Sequence, residues 1–317
     1  MSTIYNLEPD GYLKELEDTI RQHFRYIPTS QGLSDEVFNE AEIIITRLGT
    51  HFNSEVINRF VKLKCICTPT TGLNHIDLVA AKEKGIAITS LRGETEFLRN
   101  VSATAELTWC LILNLVRNVS AAMTSVVNGD WDRDAFIGYE LKGKTLGIIG
   151  YGRLGQIVGD YAKTFGMNTV AYDPDPELEE NSTVKLVGLD VLLQTSDIVT
   201  LHASYDVNSG MILTSNLLSK LKPGAYFVNT ARGELVDEEF LISLLNTDRL
   251  AGVALDVLAS EYSGSNLQSM LSEPMHHAVT SGKNLIVTPH IGGVTHDSMR
   301  NTERFIVEKL ISQYSNV

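Results

Sequence analysis

One short run constrains this chain more than any other: Gly150-Tyr151-Gly152-Arg153-Leu154-Gly155, directly behind the apolar run 145–149 and opening a helical pattern at 154–165. In such a turn the first glycine permits a tight reversal, the second lets backbone approach a pyrophosphate, and the third lets helix pack on strand. The helix start then offers unpaired N–H groups and the positive end of its dipole to phosphate. A G-x-G-x-x-G string alone is weak evidence, since many are merely glycine-rich turns. Here a second apolar run, 169–172, also ends in an acid, Asp173, 23 residues beyond Gly150. A carboxylate there bonds the adenosine ribose hydroxyls and repels a 2′-phosphate, which predicts an NAD-preferring domain. A turn aspartate before Pro174 explains Asp173 by itself but not the whole constellation.

The same alternation runs along the whole chain. Runs 42–47, 63–68 and 86–89 read as buried strands, with helical spacing at 54–60 and 75–84 and Gly85 as a helix stop. A long helical stretch follows at 102–128, closed by Gly129. Six further strand candidates lie at 145–149, 169–172, 198–201, 226–229, 252–256 and 285–288, with helical segments at 154–165, 187–193, 215–221 and 238–245. Strand–helix–strand spacing of this kind predicts an α/β chain with two doubly wound parallel sheets. A Rossmann-type NAD domain at 103–289 is expected, inserted in a discontinuous, flavodoxin-like substrate domain of residues 1–102 plus 290–317. Residues 258–283 lack clear periodicity and read as a long functional loop.

Charge narrows the partners. Aspartate and glutamate outnumber lysine and arginine by 39 to 26, giving −13, a surface repelled by phosphate backbones and anionic membranes. Neither nucleic acid nor membrane is therefore an expected partner. No apolar run approaches the ~20 residues of a membrane helix. The N-terminal residues show no basic and apolar leader pattern, so a cytoplasmic location is expected. The three cysteines, Cys65, Cys67 and Cys110, lie in apolar runs without a C-x-x-C and are expected to be reduced core thiols. Cys65 and Cys67 have no His or Cys neighbours in sequence, so no metal site is expected.

Ordered motifs extend beyond the glycine turn: Thr71-Gly72-Leu73-Asn74-His75-Ile76-Asp77, Ser102-Ala103-Thr104-Ala105-Glu106, and Glu140-Leu141-Lys142-Gly143-Lys144-Thr145 leading into it. LLQTSDIVTLH follows at 192–202, then NTARGELVD at 229–237, ALDV at 254–257 and TPHIGG at 288–293. Over most of its length the chain resembles the D-isomer-specific 2-hydroxyacid dehydrogenases, which include phosphoglycerate dehydrogenases, glyoxylate/hydroxypyruvate reductases and D-lactate dehydrogenases. Oxidising a 2-hydroxy acid requires a base for the hydroxyl proton and a cation for the carboxylate. His290, within TPHIGG, suits the first role because imidazole titrates near neutrality. Arg232, within TARG, suits the second because a guanidinium fork grips carboxylate at two points. By itself each has a bland reading, a surface histidine or a loop salt bridge. The resemblance also implies a carboxylate behind the histidine, five residues past the Asp of ALDV, which falls on Glu261. Glu273, before Pro274, is the competitor and reads as a solvated loop charge.

The resemblance further implies that Thr71, Gly72 and Leu73 present backbone N–H groups to the substrate carboxylate. Arg153 and Leu154 would lie against the pyrophosphate, Ala203 would line the adenine side, and Thr230, Ala231 and Asp256 would face the nicotinamide end, with Gly292 and Gly293 at its ribose. Hinges near 101–102 and 289–295, and a homodimer formed through the NAD domain, are implied as well. Trp109 and Trp131 read as core or interface aromatics. Arg47 is placed to serve a phosphorylated substrate, although Thr68 stands where a second cation is usual, so a phosphate is not favoured. Departures from the family pattern include Ser204-Tyr205-Asp206 for Pro-Leu-Thr, Leu258 for an aromatic, and no proline after Glu261. The competing reading from another class is a non-enzymatic NAD-sensing protein of corepressor type; formate oxidation and thioether hydrolysis fit the Arg/Glu/His spacing less well.

Overall fold

Two parallel sheets organise the computed structural model, which describes residues 1–175, 184–205, 210–261 and 270–314. They belong to separate units, Met1–Val101 with Val294–Val317, and Ser102–Gly293. In the first, strands β1 (Thr3–Asn6), β2 (Arg25–Pro28), β3 (Ile43–Ile45), β4 (Cys65–Cys67) and β5 (Ala87–Thr89) are ordered β2-β1-β3-β4-β5, all parallel. Helices α1 (Lys14–His23), α2 (Asp35–Glu40), α3 (Ser54–Arg59), α4 (Leu78–Glu83) and α5 (Thr95–Leu98) connect them. The central strands β3 and β4 read as unbroken apolar runs because both faces are buried. Ile44 and Ile66 face a core with Phe38, Phe52 and Ile57, whereas Ile43, Ile45, Cys65 and Cys67 face Phe24 and Leu91. The helix His296–Tyr314 completes that second layer with Ile306, Val307 and Leu310. Short helices are started by side-chain caps: Asn53 Oδ1 accepts from Val56 N–H at 2.9 Å, and Asp77 Oδ1 from Ala80 N–H at 3.0 Å.

The second unit begins with α6 (Ala103–Arg117) and α7 (Val119–Val127). It continues through β6 (Thr145–Ile149), α8 (Arg153–Thr164), β7 (Asn168–Tyr172), β8 (Lys185–Leu186), α9 (Leu189–Thr195), β9 (Ile198–Leu201) and α10 (Ser215–Leu218). The remaining elements are β10 (Ala225–Asn229), α11 (Glu238–Asn246), β11 (Leu250–Leu255), α12 (Glu273–Thr280) and β12 (Leu285–Val287). The parallel sheet is ordered β12-β11-β10-β9-β6-β7-β8. Its winding reverses between β6 and β9, and ligands of open α/β sheets bind in the crevice at such a switch point.

The structure departs from the sequence reading at several points. The stretch 102–128 is two helices, bent by 67° at Asn118, whose φ of 52° is left-handed. A seventh strand, β8, precedes α9, and the aperiodic stretch 258–283 contains α12. Cys65 and Cys67 are buried, but Cys110 is exposed, because it shares the outer face of α6 with Glu106 and Leu113 while Thr108, Trp109 and Ile112 face the core. Residues 290–293, expected with the substrate domain, belong to the second unit, where Ile291 and Gly292 N–H bond the Asp256 carboxylate at 2.9 and 2.8 Å. Ser102 likewise joins the second unit, bonding Glu106 on the first turn of α6.

Candidate active site

At the switch point β6 runs into the glycine turn. Gly150 has φ +89°, and a Cβ there would stand 2.5 Å from Ala203 N at the end of β9; a Cβ on Gly155 would stand 2.2 Å from Gly150 O. Both positions therefore exclude any side chain. Gly152 is different: nothing lies within 4 Å of its Cβ position, so the missing side chain leaves the start of α8 open to a phosphate. That open helix start fits a dinucleotide pyrophosphate, and the acid beside it fits the adenosine ribose hydroxyls. Asp173 Oδ2 accepts from Tyr151 N–H at 2.7 Å and Oδ1 from Asp175 N–H at 3.0 Å, which fixes the carboxylate against the turn. Burial pulls the Arg153 guanidinium below its usual range, and Leu154 packs on the core under the turn. Ala203 packs on the opposite core; of the Ser204-Tyr205-Asp206 departure, Asp206 lies outside the described residues. The sequence reading gives no role to His202, whose ring nitrogens are buried with no hydrogen-bond partner among the described residues. Burial pushes its pKa down to about 4, so the ring is neutral.

The three residues read as catalytic follow three neighbouring strands: Arg232 comes after β10, Glu261 after β11 and His290 after β12. Parallel pairing of β10, β11 and β12 brings all three to the carboxyl edge of one sheet. The turn carrying Arg232 is held by buried Asn229, whose Oδ1 accepts from Ala231 N–H at 2.9 Å and whose Nδ2 donates to Arg232 O at 2.8 Å. Thr230 Oγ1 lies 2.8 Å from Thr108 Oγ1 on α6. Asn229 was not singled out as a site residue, although its place at the start of NTARG was the available signal.

His290 stands at φ 53°, a conformation that non-glycine residues hold only when their surroundings impose it. Asp256 imposes it. Its backbone oxygen accepts from His290 N–H at 2.9 Å, and its carboxylate accepts from Thr288 Oγ1 at 2.6 Å and from Ile291 and Gly292 N–H. Burial pushes this carboxyl up and the donors pull it down, leaving it raised. A Cβ on Gly292 would stand 3.1 Å from Asp256 Oδ2, so a side chain there would make the carboxylate give way slightly, whereas the Cβ position of Gly293 is open. His290 Nδ1 lies 3.1 Å from Glu261 Oε2 and 3.2 Å from Oε1, with only 23% and 15% of the two side chains exposed. Glu273 is instead exposed, as the first residue of α12.

In the first unit, residues 68–73 leave the carboxyl end of β4 as a loop. Thr68 Oγ1 lies 3.0 Å from Thr70 Oγ1, which donates to Gly72 O at 2.8 Å; Thr71 is exposed, and Gly72 and Leu73 are half-buried. Arg47 differs from the free cation expected. Its Nε donates to Glu303 Oε1 at 2.8 Å, its Nη2 to the same oxygen, and its Nη1 to the carbonyls of Glu8 and Asp10. The backbone N–H groups of Arg47 and Gly49 are taken by the Glu8 carboxylate at 2.9 and 3.2 Å. Two internal carboxylates thus occupy the donors at this strand end.

Residues 109–292 match the model of the "D-isomer specific 2-hydroxyacid dehydrogenase, NAD binding domain". The chain is 34% identical over 278 residues to D-3-phosphoglycerate dehydrogenase of Methanocaldococcus jannaschii, which covers 87% of this chain and 50% of that protein. It is 33% identical over 278 residues to hydroxypyruvate reductase of Thermotoga maritima, covering 88% of this chain and 86% of that one. The chain therefore spans about half the length of the phosphoglycerate dehydrogenase it matches. The structure of D-lactate dehydrogenase from Aquifex aeolicus, complexed with NAD and lactic acid, superposes with TM-score 0.82 at 26% identity over 99% of this chain and 96% of the other.

Proposed function

Because this chain belongs to the D-isomer-specific 2-hydroxyacid dehydrogenase family, we propose that it transfers hydride between NAD and C2 of a small, unphosphorylated 2-hydroxy or 2-keto acid. The carrying observation is the Glu261–His290 contact, placed one strand away from Arg232. NAD, held at the glycine turn with Asp173 at its ribose, supplies the hydride acceptor when bound. Glu261 occupies Nδ1 of His290, so proton transfer falls to Nε2, which takes the hydroxyl proton in oxidation and returns it to the carbonyl oxygen in reduction. The adjacent carboxylate holds the ring in orientation, as in triad logic. Arg232 offers a fork to the substrate carboxylate and polarises the forming carbonyl. The preference against phosphate rests on Arg47, whose guanidinium is already bonded to Glu303.

An assay of NADH oxidation with glyoxylate, hydroxypyruvate, pyruvate and 3-phosphohydroxypyruvate tests this reading. At least one unphosphorylated acid is expected to exceed the phosphorylated one by ~10-fold in kcat/KM, and NADH to exceed NADPH by at least ~10-fold, each about 1.4 kcal/mol of discrimination. NADH binding without turnover of any keto acid would favour the NAD-sensing alternative. Higher efficiency with 3-phosphohydroxypyruvate would overturn the substrate reading.

Pairing with a second copy is part of the proposal. α7 and the segment after it expose Met123, Val126, Val127, Trp131 and Ile137, with Trp131 90% exposed. Several large apolar side chains exposed on one helix and the segment after it suit an interaction surface. Sedimentation of the double variant Met123→Glu/Trp131→Glu is expected to show monomer where the parent shows dimer. A parent that sediments as monomer would refute the pairing.

A further inference from the structure

We infer that Glu238 is a positioning residue for the Glu261–His290 pair, tying the turn that carries Glu261 to the segment that carries Arg232. The inference rests on the reaction proposed above. Glu238 opens α11, and its Oε1 accepts from Ala259 N–H at 2.9 Å, two residues before Glu261. Between the two runs Gly233, next to Arg232. A Cβ on Gly233 would stand 2.1 Å from Ala259 N, 2.2 Å from Leu258 C and 2.7 Å from Glu238 Oε1. One carboxyl thus clamps the exits of β10 and β11 against each other where only a glycine fits.

The carboxyl is also a second acid behind the catalytic pair. Burial pushes its pKa up to about 7, with the charges of Glu234 and Glu261 adding to the rise and the Ala259 N–H opposing it. Among the described residues those glutamates, from the short turn Gly233–Leu235 and the turn after β11, are the charged groups that act on it, and His290 contacts Glu261. As pH rises through neutrality Glu238 ionises. Its negative charge then stands beside Glu261, behind the pair from which reduction of a keto acid takes a proton. Glu238 thereby extends keto-acid reduction toward higher pH.

Two variants separate the clamp from the charge. Glu238→Gln keeps an acceptor for Ala259 N–H but cannot ionise. It should retain the acid-side plateau, with its alkaline limb moved down by about half a pH unit, roughly threefold in kcat/KM on that limb. Glu238→Ala leaves Ala259 N–H without its partner, and kcat should fall ~10-fold with NADH affinity unchanged, a loss the glutamine variant rescues. An NMR titration of the His290 ring in the parent and Glu238→Gln, identified by its absence in His290→Asn, should show the same shift to lower pH. Coincident pH profiles and ring titrations for Glu238→Gln and the parent would overturn the inference, as would full kcat in Glu238→Ala. A failure of Glu238→Ala to fold leaves the decision with Glu238→Gln. Should the parent reduce no keto acid, the proposed reaction fails, and the ring titration still decides the coupling.

Discussion

His290→Asn should lower kcat for keto-acid reduction by ~10³-fold while leaving NADH affinity within about a factor of two. Asparagine is the informative replacement because it tolerates the left-handed φ of 53° that His290 adopts, so the backbone braced by Asp256 keeps its shape. Its amide can still hydrogen-bond but cannot carry the transferred proton. The glycine turn and Asp173 are untouched, which is why binding should survive. Single-turnover kinetics with NADH fluorescence separate the two quantities. A loss below ~10-fold would remove His290 from the proton-transfer role.

The second large effect separates two glutamates. Glu261→Gln is expected to cost ~10²-fold in kcat and to move the pH profile of reduction to the acid side. The glutamine side chain can still meet Nδ1, at the 3.1 Å seen for Glu261, but provides no charge to stabilise the protonated ring. Glu273→Gln should leave the profile where it is. Its side chain is exposed at the first position of α12, where a carboxylate gains ~0.5 kcal/mol from the helix dipole, so the expected result is a slightly lower thermal midpoint. Opposite behaviour of the two variants would transfer the assignment to Glu273.

What was legible in the sequence is what local chemistry determines. β6 and β9 fall where unbroken β-branched and leucine-rich runs place them, and the glycine turn between β6 and α8 needs no tertiary context to be recognised. Short elements with mixed polar and apolar sequence escaped, such as the two-residue β8 and the four-residue strands β1 (TIYN) and β2 (RYIP), even though Ile4, Tyr5 and Asn6 of β1 are buried. The break at Asn118 carries no proline or glycine. Asn284 Nδ2 donates to Leu115 O at 3.1 Å, and Asn118 Nδ2 to Ile137 O at 3.2 Å, so partners far along the chain stabilise the bend. The partner of Arg47 has no sequence signal for the same reason: Glu303 lies 256 residues away in sequence. In the catalytic group, the position that the family resemblance implies pointed to Glu261. The left-handed backbone at His290 and the clamp from Glu238 depend on neighbouring strand ends and have no sequence signal of their own.

The helix His296–Tyr314 has a consequence for how the molecule is made. It carries Ile306, Val307 and Leu310, which close one layer over Ile43, Ile45, Cys65 and Cys67, and Glu303, which receives Arg47. During synthesis all of Ser102–Gly293 must emerge between that sheet and its cover, about 10–40 s at ~5–20 residues per second. The second unit is continuous and has its whole sheet available before the helix leaves the ribosome. The first unit spends that interval with a greasy face uncovered and a guanidinium lacking its counter-ion, a nascent intermediate of the kind that chaperones engage.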